Sequence, residues 1–343
     1  MSEQFLDPLR YLLDYLVLNS TISKFYKGLN KNIFIGTSYP DSNMLLKKTC
    51  KIWIDGKICK FEDAKIHILT HALHYGTACF EGIHSYKTEK GTAIFRLKEH
   101  LDRFFESAKV LGMKLDFSSK DISNAIKKLI KINKLGDAYI RPLAFYGYGS
   151  LDVYPKDVKP SIALITLPCY SKEKKPLKLK TSSLKKINPS AFIYGAKLSG
   201  FYANSVMAMH EARVNGYDEA LMLDDNGKVS EGPCQNIFMI KHNNVITSNS
   251  RSILPGVTRD SLLKLSRDMG FHAEEKEISL EELKNADEAF YCGTLSEIIP
   301  IGKIDNSAIG NGETGKITKK LKEEFSKIAR GKNAKYKKWL EYV

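Results

Sequence analysis

Phe192-Ile193-Tyr194-Gly195-Ala196-Lys197-Leu198-Ser199-Gly200-Phe201-Tyr202 sets one lysine among small and aromatic residues, in a chain whose other lysines mostly sit beside charged or polar neighbours. An amine in a tight, largely apolar setting is disfavoured as an ammonium, which makes Lys197 a candidate neutral nucleophile for a Schiff base. A lysine snorkelling at the end of a helix or strand has the same local signature. The rest of the chain has to decide between the two.

Outward from this stretch, Leu177–Thr181 reads as a strand before it, and a helix near Ala203–Asn215 follows it, stopped by Gly216. Hairpins then turn at Asp225-Asn226-Gly227 and His242-Asn243-Asn244. Glu231 lies just past the first of these, in Val229-Ser230-Glu231-Gly232-Pro233-Cys234-Gln235-Asn236-Ile237-Phe238. A carboxylate so placed can hold a pyridine nitrogen protonated, or be a surface residue at a strand end. Pro255-Gly256-Val257-Thr258-Arg259-Asp260 leads into a helix to Met269, and the first free N–H groups of a helix suit a phosphate. Arg96 and Thr294 can add a guanidinium and a hydroxyl to the same anion site. A last amphipathic helix covers Ile317–Ala329.

Towards the N-terminus, Lys51–Ile54 and Lys57–Lys60 flank Asp55-Gly56 as a two-residue hairpin. A second hairpin joins Gly82–Tyr86 to Thr92–Arg96 across Thr88–Gly91. Helices follow from Leu97, with Leu101, Phe104, Phe105 and Ala108 on one face, and from the caps Ser118 and Ser119, with Ile122, Ala125, Leu129 and Ile132 on one face. Strands resume at Ala138–Tyr146 and Ser161–Leu167. Tyr139 and Arg141 share one face of the first of these, so a hydroxyl and a guanidinium can hold a carboxylate together. Tyr75 and Phe80 flank Gly76-Thr77-Ala78-Cys79 as candidate aromatic walls. His71 and His74 have no third partner at metal-ligand spacing.

A chain of 343 residues exceeds the size at which single cores usually stop growing, so two domains are expected. The boundaries read as an N-terminal extension over 1–48 with a short helix at Leu9–Leu18, a smaller α/β domain over 49–167, a linker over 168–176 and a larger domain over 177–343. The net charge of +14 is spread along the chain as lysine, without the clustered basic and aromatic pattern of a nucleic-acid surface. No stretch is long and apolar enough to span a membrane. Six cysteines without a C-x-x-C pair fit reduced thiols, and the acidic opening residues do not read as a secretory or mitochondrial leader, so a cytoplasmic location is expected.

Taken in order, His71–Gly82, Phe95–His100, Ala138–Pro142, Gly195–Tyr202, Ser230–Phe238, Leu254–Asp260 and Cys292–Glu297 resemble the branched-chain amino acid aminotransferases, the pyridoxal-phosphate enzymes of fold type IV. The resemblance runs over about residues 50 to 340. It implies a two-domain α/β (α+β) architecture with a β-barrel-like core in the larger domain. It implies transamination of leucine, isoleucine and valine with 2-oxoglutarate by ping-pong kinetics, with Lys197 joined to pyridoxal 5'-phosphate as an aldimine. Glu231 would then meet the pyridine nitrogen and Tyr202 the phenolic oxygen, while Arg96, Val257, Thr258 and Thr294 bind the phosphate. Tyr139 with the N–H groups of Thr294 and Leu295 would hold the substrate α-carboxylate, Arg141 the side-chain carboxylate of glutamate, and Tyr75, Phe80 and Tyr202 the aliphatic side chain. The resemblance further implies a homodimer or larger homo-oligomer with its active site near the subunit interface.

Two positions depart from the family pattern after Glu231, where Cys234 and Gln235 stand in place of the common glycine and glutamate, and Cys169 replaces a bulky aromatic of some members. They bear on substrate range more than on cofactor chemistry. A D-amino acid aminotransferase or an aminodeoxychorismate lyase of the same fold is the nearest competing reading, and a non-catalytic lysine-rich binding protein is a remoter one.

Overall fold

The computed structural model of the protein describes residues 51–169 and 175–343. The proposed extension with its Leu9–Leu18 helix, and the middle of the proposed linker, lie outside the described residues. Asp55-Gly56 does form the tight turn that its two positive φ angles require, pairing β1 (Ile52–Ile54) with β2 (Lys57–Cys59). A short helix, α1 (His71–Tyr75), ends at Gly76 in the left-handed region and leads into β3 (Ala78–Phe80).

The second hairpin is tighter than its sequence suggests. β4 (Ile83–Thr88) and β5 (Gly91–Phe95) pair up to Thr88 opposite Gly91, and Arg96 leaves the strand at a φ of 48° to cap α2 (Leu97–Val110). Leu97, Leu101, Phe104 and Ala108 form the buried stripe of α2. In α3 (Ser119–Ile132), Ser118 and Asp121 make a reciprocal capping box. Its buried face runs through Ile122, Ile126, Leu129 and Ile130, while Ile132, at the final position and between the turns of that stripe, is exposed. β6 (Ala138–Tyr146) and β7 (Pro160–Pro168) complete this part of the chain.

β8 (Leu177–Thr181) begins a second sheet and lies parallel to β9 (Glu219–Leu223). A parallel pair needs a long crossover, and here the crossover carries the Lys197 stretch and α4 (Tyr202–Val214). β10 (Val229–Glu231) returns antiparallel to β9 with a register shift between Val229 and Glu231, a bulge that re-aims the glutamate. β11 (Asn236–Lys241) and β12 (Asn244–Ser248) turn at His242-Asn243, both at positive φ. The remainder runs α5 (Val257–Asp268), β13 (Ala273–Lys276), α6 (Leu280–Lys284), β14 (Glu288–Gly293), β15 (Glu297–Ile304), β16 (Ser307–Ala308), α7 (Lys316–Ala329) and β17 (Leu340–Tyr342).

Among the described residues the first sheet has 8 strands in the order β17-β5-β4-β6-β7-β1-β2 with β3 on β6. The second has 9, in the order β10-β9-β8-β15-β14-β11-β12-β13 with β16 on β15. This is a mixed α/β architecture. Both sheets belong to one compact unit. β17, from the far end of the chain, pairs with β5 of the first sheet, so the two halves share a strand exchange as well as a face. No described helix is long and apolar enough to cross a membrane.

On β4 and β6, Ile83 and Ile140 point into the core under α2 and α3. Alternation along the strands therefore turns Gly82, His84, Tyr139 and Arg141 to the opposite face. The crossover from the second sheet runs beside β3, with Ala196 and Leu198 joining the core that holds Ile83 and Ile140. A single bridge, Cys79 to Leu198, ties the lysine stretch to β3.

Candidate active site

Two contacts fix the Lys197 main chain. Its N–H donates to Ser107 Oγ on α2 at 2.9 Å, and its carbonyl accepts from the Phe80 N–H at 3.2 Å as part of the bridge between Leu198 and Cys79. The close approach depends on glycine: a side chain on Gly76 would meet the Gly200 backbone at 2.7 Å. The amine lies 2.5 Å from Tyr202 Oη and donates to it. It also rests 4.8 Å from the centre of the Phe80 ring, which packs against the Tyr202 ring at 4.9 Å. Burial, reinforced by the positive charge of Arg103, lowers the pKa of Lys197 below its ordinary value against the opposing pull of Glu81. Burial and the nearby Glu231 raise that of Tyr202.

Glu231 is buried and lines one cleft together with Lys197, Tyr202, Ser205, Ser252 and Leu254. Its Oε2 accepts from Asn236 Nδ2 at 2.8 Å and from the Leu254 N–H at 3.2 Å, and its Oε1 meets Lys186 Nζ at 2.9 Å. Ser252 Oγ, buried on the same wall, has no hydrogen-bond partner among the described residues.

Arg141 also stands over the Phe80 ring, its guanidinium 4.5 Å from the ring centre and donating to Tyr139 Oη through Nη2 at 2.6 Å. Phe80, Tyr139, Arg141, Lys197 and Tyr202 are thus one cluster. Thr294 and Leu295 are half-buried in the turn from β14 to β15. That turn faces the Tyr139 strand, since His84, opposite Tyr139 in register, comes within 3.8 Å of Glu297.

Val257 and Thr258 open α5 after Gly256, which offers no side-chain cap, so the first N–H groups of that helix are left for a ligand. Arg96 braces the same turn: Nη1 donates to the Val257 carbonyl at 3.3 Å, Ser261 Oγ at 2.9 Å and Asp260 at 2.5 Å, and Nε to Glu99 at 2.7 Å. Arg96 and Val257 border a groove that shares Gly195 and Ala196 with the Lys197 cleft. Tyr75 stands apart from the cluster; it is exposed, and its hydroxyl donates to the Leu151 carbonyl. His71 and His74 also separate, the first binding Thr77 and the Asp152 carbonyl, the second the Ile68 carbonyl. Among the described residues no group of side chains is arranged to hold a metal.

Residues 78–304 match the family described as amino-transferase class IV. The chain belongs to that family. The branched-chain-amino-acid aminotransferase of Pseudomonas aeruginosa is 39% identical over 85% of this class IV chain and 97% of its own length. That of Escherichia coli K12 is 36% identical over 88% and 99%. The crystal structure of the branched-chain amino acid aminotransferase from Thermobaculum terrenum in its PLP form superposes with a TM-score of 0.82 at 33% identity, covering 86% of this chain and 99% of that one. The chain is a transaminase.

Several parts of this aminotransferase site escape a sequence reading. Glu81, fully buried beside Phe80, is clamped by Arg103 through Nε at 2.6 Å and Nη2 at 2.9 Å and meets His100 Nδ1 at 2.8 Å. Burial opposes its ionisation, but Arg103 and His100 outweigh that and hold its pKa well below the usual carboxylate range. Arg103 Nη1 reaches on to the Pro255 carbonyl, just ahead of α5. Lys186 carries no local signal among so many lysines. Asn236 is quoted in the Glu231 stretch, yet only the fold shows what it binds. Gln235, where the family commonly has glutamate, donates to the buried Glu219 at 3.3 Å and accepts from the Cys234 N–H.

Proposed function

We propose that this chain catalyses pyridoxal 5'-phosphate-dependent transfer of the amino group of leucine, isoleucine or valine to 2-oxoglutarate, giving branched-chain 2-oxo acids and L-glutamate. The observation that carries the reading is that Lys197, Tyr202 and Glu231 line one cleft. An amine, a phenol and a carboxylate around one cavity, beside an uncapped helix start and an unpartnered Ser252 hydroxyl, fit that cofactor's polar groups. Bound there, the cofactor supplies an electron sink for a carbanion at the substrate α-carbon.

Lys197, its pKa lowered by burial, is available as a neutral amine to take the α-proton and return it. Tyr202 holds that amine in place, and Glu231 keeps a proton on the ring nitrogen. The N–H groups of Val257 and Thr258, with the hydroxyls of Thr258 and Thr294, bind the phosphate, and Arg96 supports them through the helix turn that it braces. Arg141 takes the side-chain carboxylate of glutamate, and Tyr139 with the Thr294 and Leu295 N–H groups takes the α-carboxylate. Phe80 and Tyr202 receive the aliphatic side chain. Tyr75 serves the same pocket from a subunit contact: it is exposed and bonded to the exposed Leu151, which suits a homodimer or larger homo-oligomer. Cys59, Cys79 and Cys292 carry free thiols, which suits the cytoplasm.

The test is an absorbance spectrum of the purified protein before and after L-leucine and then 2-oxoglutarate. A visible band that shifts on the first addition and returns on the second is the expected result. A colourless protein that takes up no cofactor would overturn the reading, and turnover of D-alanine but not L-leucine would overturn its substrate.

A further inference from the structure

The two oxygens of Glu231 are not equivalent. Oε2 accepts two hydrogen bonds, from Asn236 Nδ2 and the Leu254 N–H, which uses its lone-pair directions. Oε1 accepts from Lys186 Nζ and keeps one direction free. Lys186 is itself anchored: its side chain is 14% exposed, its N–H donates to the Leu223 carbonyl at 2.8 Å at the end of β9, and its ammonium lies 3.5 Å from the Gly232 carbonyl. Lys186, Glu231, Tyr202 and Lys197 border the same cleft.

We infer that Lys186 is a positioning residue, which turns the free lone pair of Glu231 Oε1 into the cleft and supplies the counter-charge that a buried carboxylate requires before the pyridine ring arrives. The inference rests on the cofactor reading above and deepens it. A carboxylate at 5% exposure has little water to orient or neutralise it. With Asn236 and Leu254 fixing one oxygen and Lys186 the other, a single acceptor direction remains for a ring N–H. Lys186 therefore acts on the ring nitrogen through Glu231, without touching the ring.

The experiment compares the full-length chain, stripped of cofactor, with Lys186→Met, Lys186→Arg, Glu231→Gln and the Lys186→Met/Glu231→Gln pair. Each is titrated with pyridoxal 5'-phosphate and with the analogue whose ring nitrogen is replaced by carbon, and each cofactor-free variant is checked by thermal unfolding. Lys186→Met is expected to lose about ten-fold in affinity for the cofactor and about nothing for the analogue, with Lys186→Arg recovering most of the loss. In the Glu231→Gln background, Lys186→Met should add no further loss. Equal weakening of both ligands, or a full additional loss in the double variant, would show Lys186 shaping the cleft without acting through Glu231 and would overturn the inference. Should the unaltered chain bind cofactor and analogue alike, the assignment of Glu231 to the ring nitrogen falls, and the role of Lys186 with it. Should Lys186→Met not fold, the Lys186→Arg titration against both ligands decides, since an arginine that satisfies Oε1 must preserve the preference for the nitrogen-containing ring.

Discussion

Arg103 grips the fully buried Glu81 with two nitrogens, at 2.6 and 2.9 Å. The pair joins three parts of the site. Glu81 follows Phe80 in the chain, Arg103 reaches the Pro255 carbonyl ahead of α5, and the Arg103 carbonyl accepts from Ser107, whose oxygen in turn accepts from the Lys197 N–H.

Glu81→Gln leaves the Arg103 guanidinium buried without its counter-ion. The expected cost is about 3–5 kcal/mol, since breaking a buried pair strands a charge. Urea unfolding of the variant against the unaltered chain measures it, and a loss below about 1 kcal/mol would show that the groove bordering Arg103 screens its charge without Glu81.

The lowered pKa of Lys197 has a sign that can be checked. Between that value and the ordinary 10.5 the unfolded chain binds the extra proton, so this group adds stability as pH rises through the window and withdraws it as pH falls. Labelling of the cofactor-free chain with an amine-selective reagent, read by mass spectrometry, should reach half-modification of Lys197 at a lower pH than for surface lysines. Arg103→Met should move that midpoint upward, because one repelling cation is gone.

A methyl group on Gly82 would stand 2.5 Å from the Tyr139 hydroxyl oxygen. Gly82→Ala therefore pushes Tyr139 off the Arg141 guanidinium and disturbs both proposed carboxylate contacts. An increase of about ten-fold in KM for 2-oxoglutarate, with a smaller change in cofactor affinity, is the expected steady-state result. An unchanged KM would remove Tyr139 from substrate binding.

Gln235→Glu restores the residue common in the family but sets a second carboxylate against the buried Glu219. Destabilisation of about 1–3 kcal/mol at neutral pH is expected, because the amide donor is lost and like charges meet. Protonation relieves the clash, so the gap to the unaltered chain should narrow as pH falls, which thermal melts across the acid range will follow.

What is legible in the sequence is local. Asp55-Gly56 dictates its turn, Ser118 its cap, and the apolar spacing from Leu97 the buried side of α2, each within a few residues. Lys197 stands out because its neighbours are unusual for a lysine, whereas Glu231 is singled out only by the family resemblance. The Glu81–Arg103 clamp, the hold of Lys186 on Glu231 and the return of β17 to β5 join positions far apart in the chain, and nothing in a short window distinguishes them. Ile132 departs from its expected buried face for a related reason: a helical stripe drifts, and the residue closing α3 falls outside it.

The crossover from β8 to β9 is long, yet at Lys197 it has no slack. Stitched to α2 on one side and to β3 on the other, its main chain is a fixed pivot, and only the four methylenes beyond it are free to swing. An amine mounted this way can let go of one partner and come back to it along a short arc, with neither sheet required to follow.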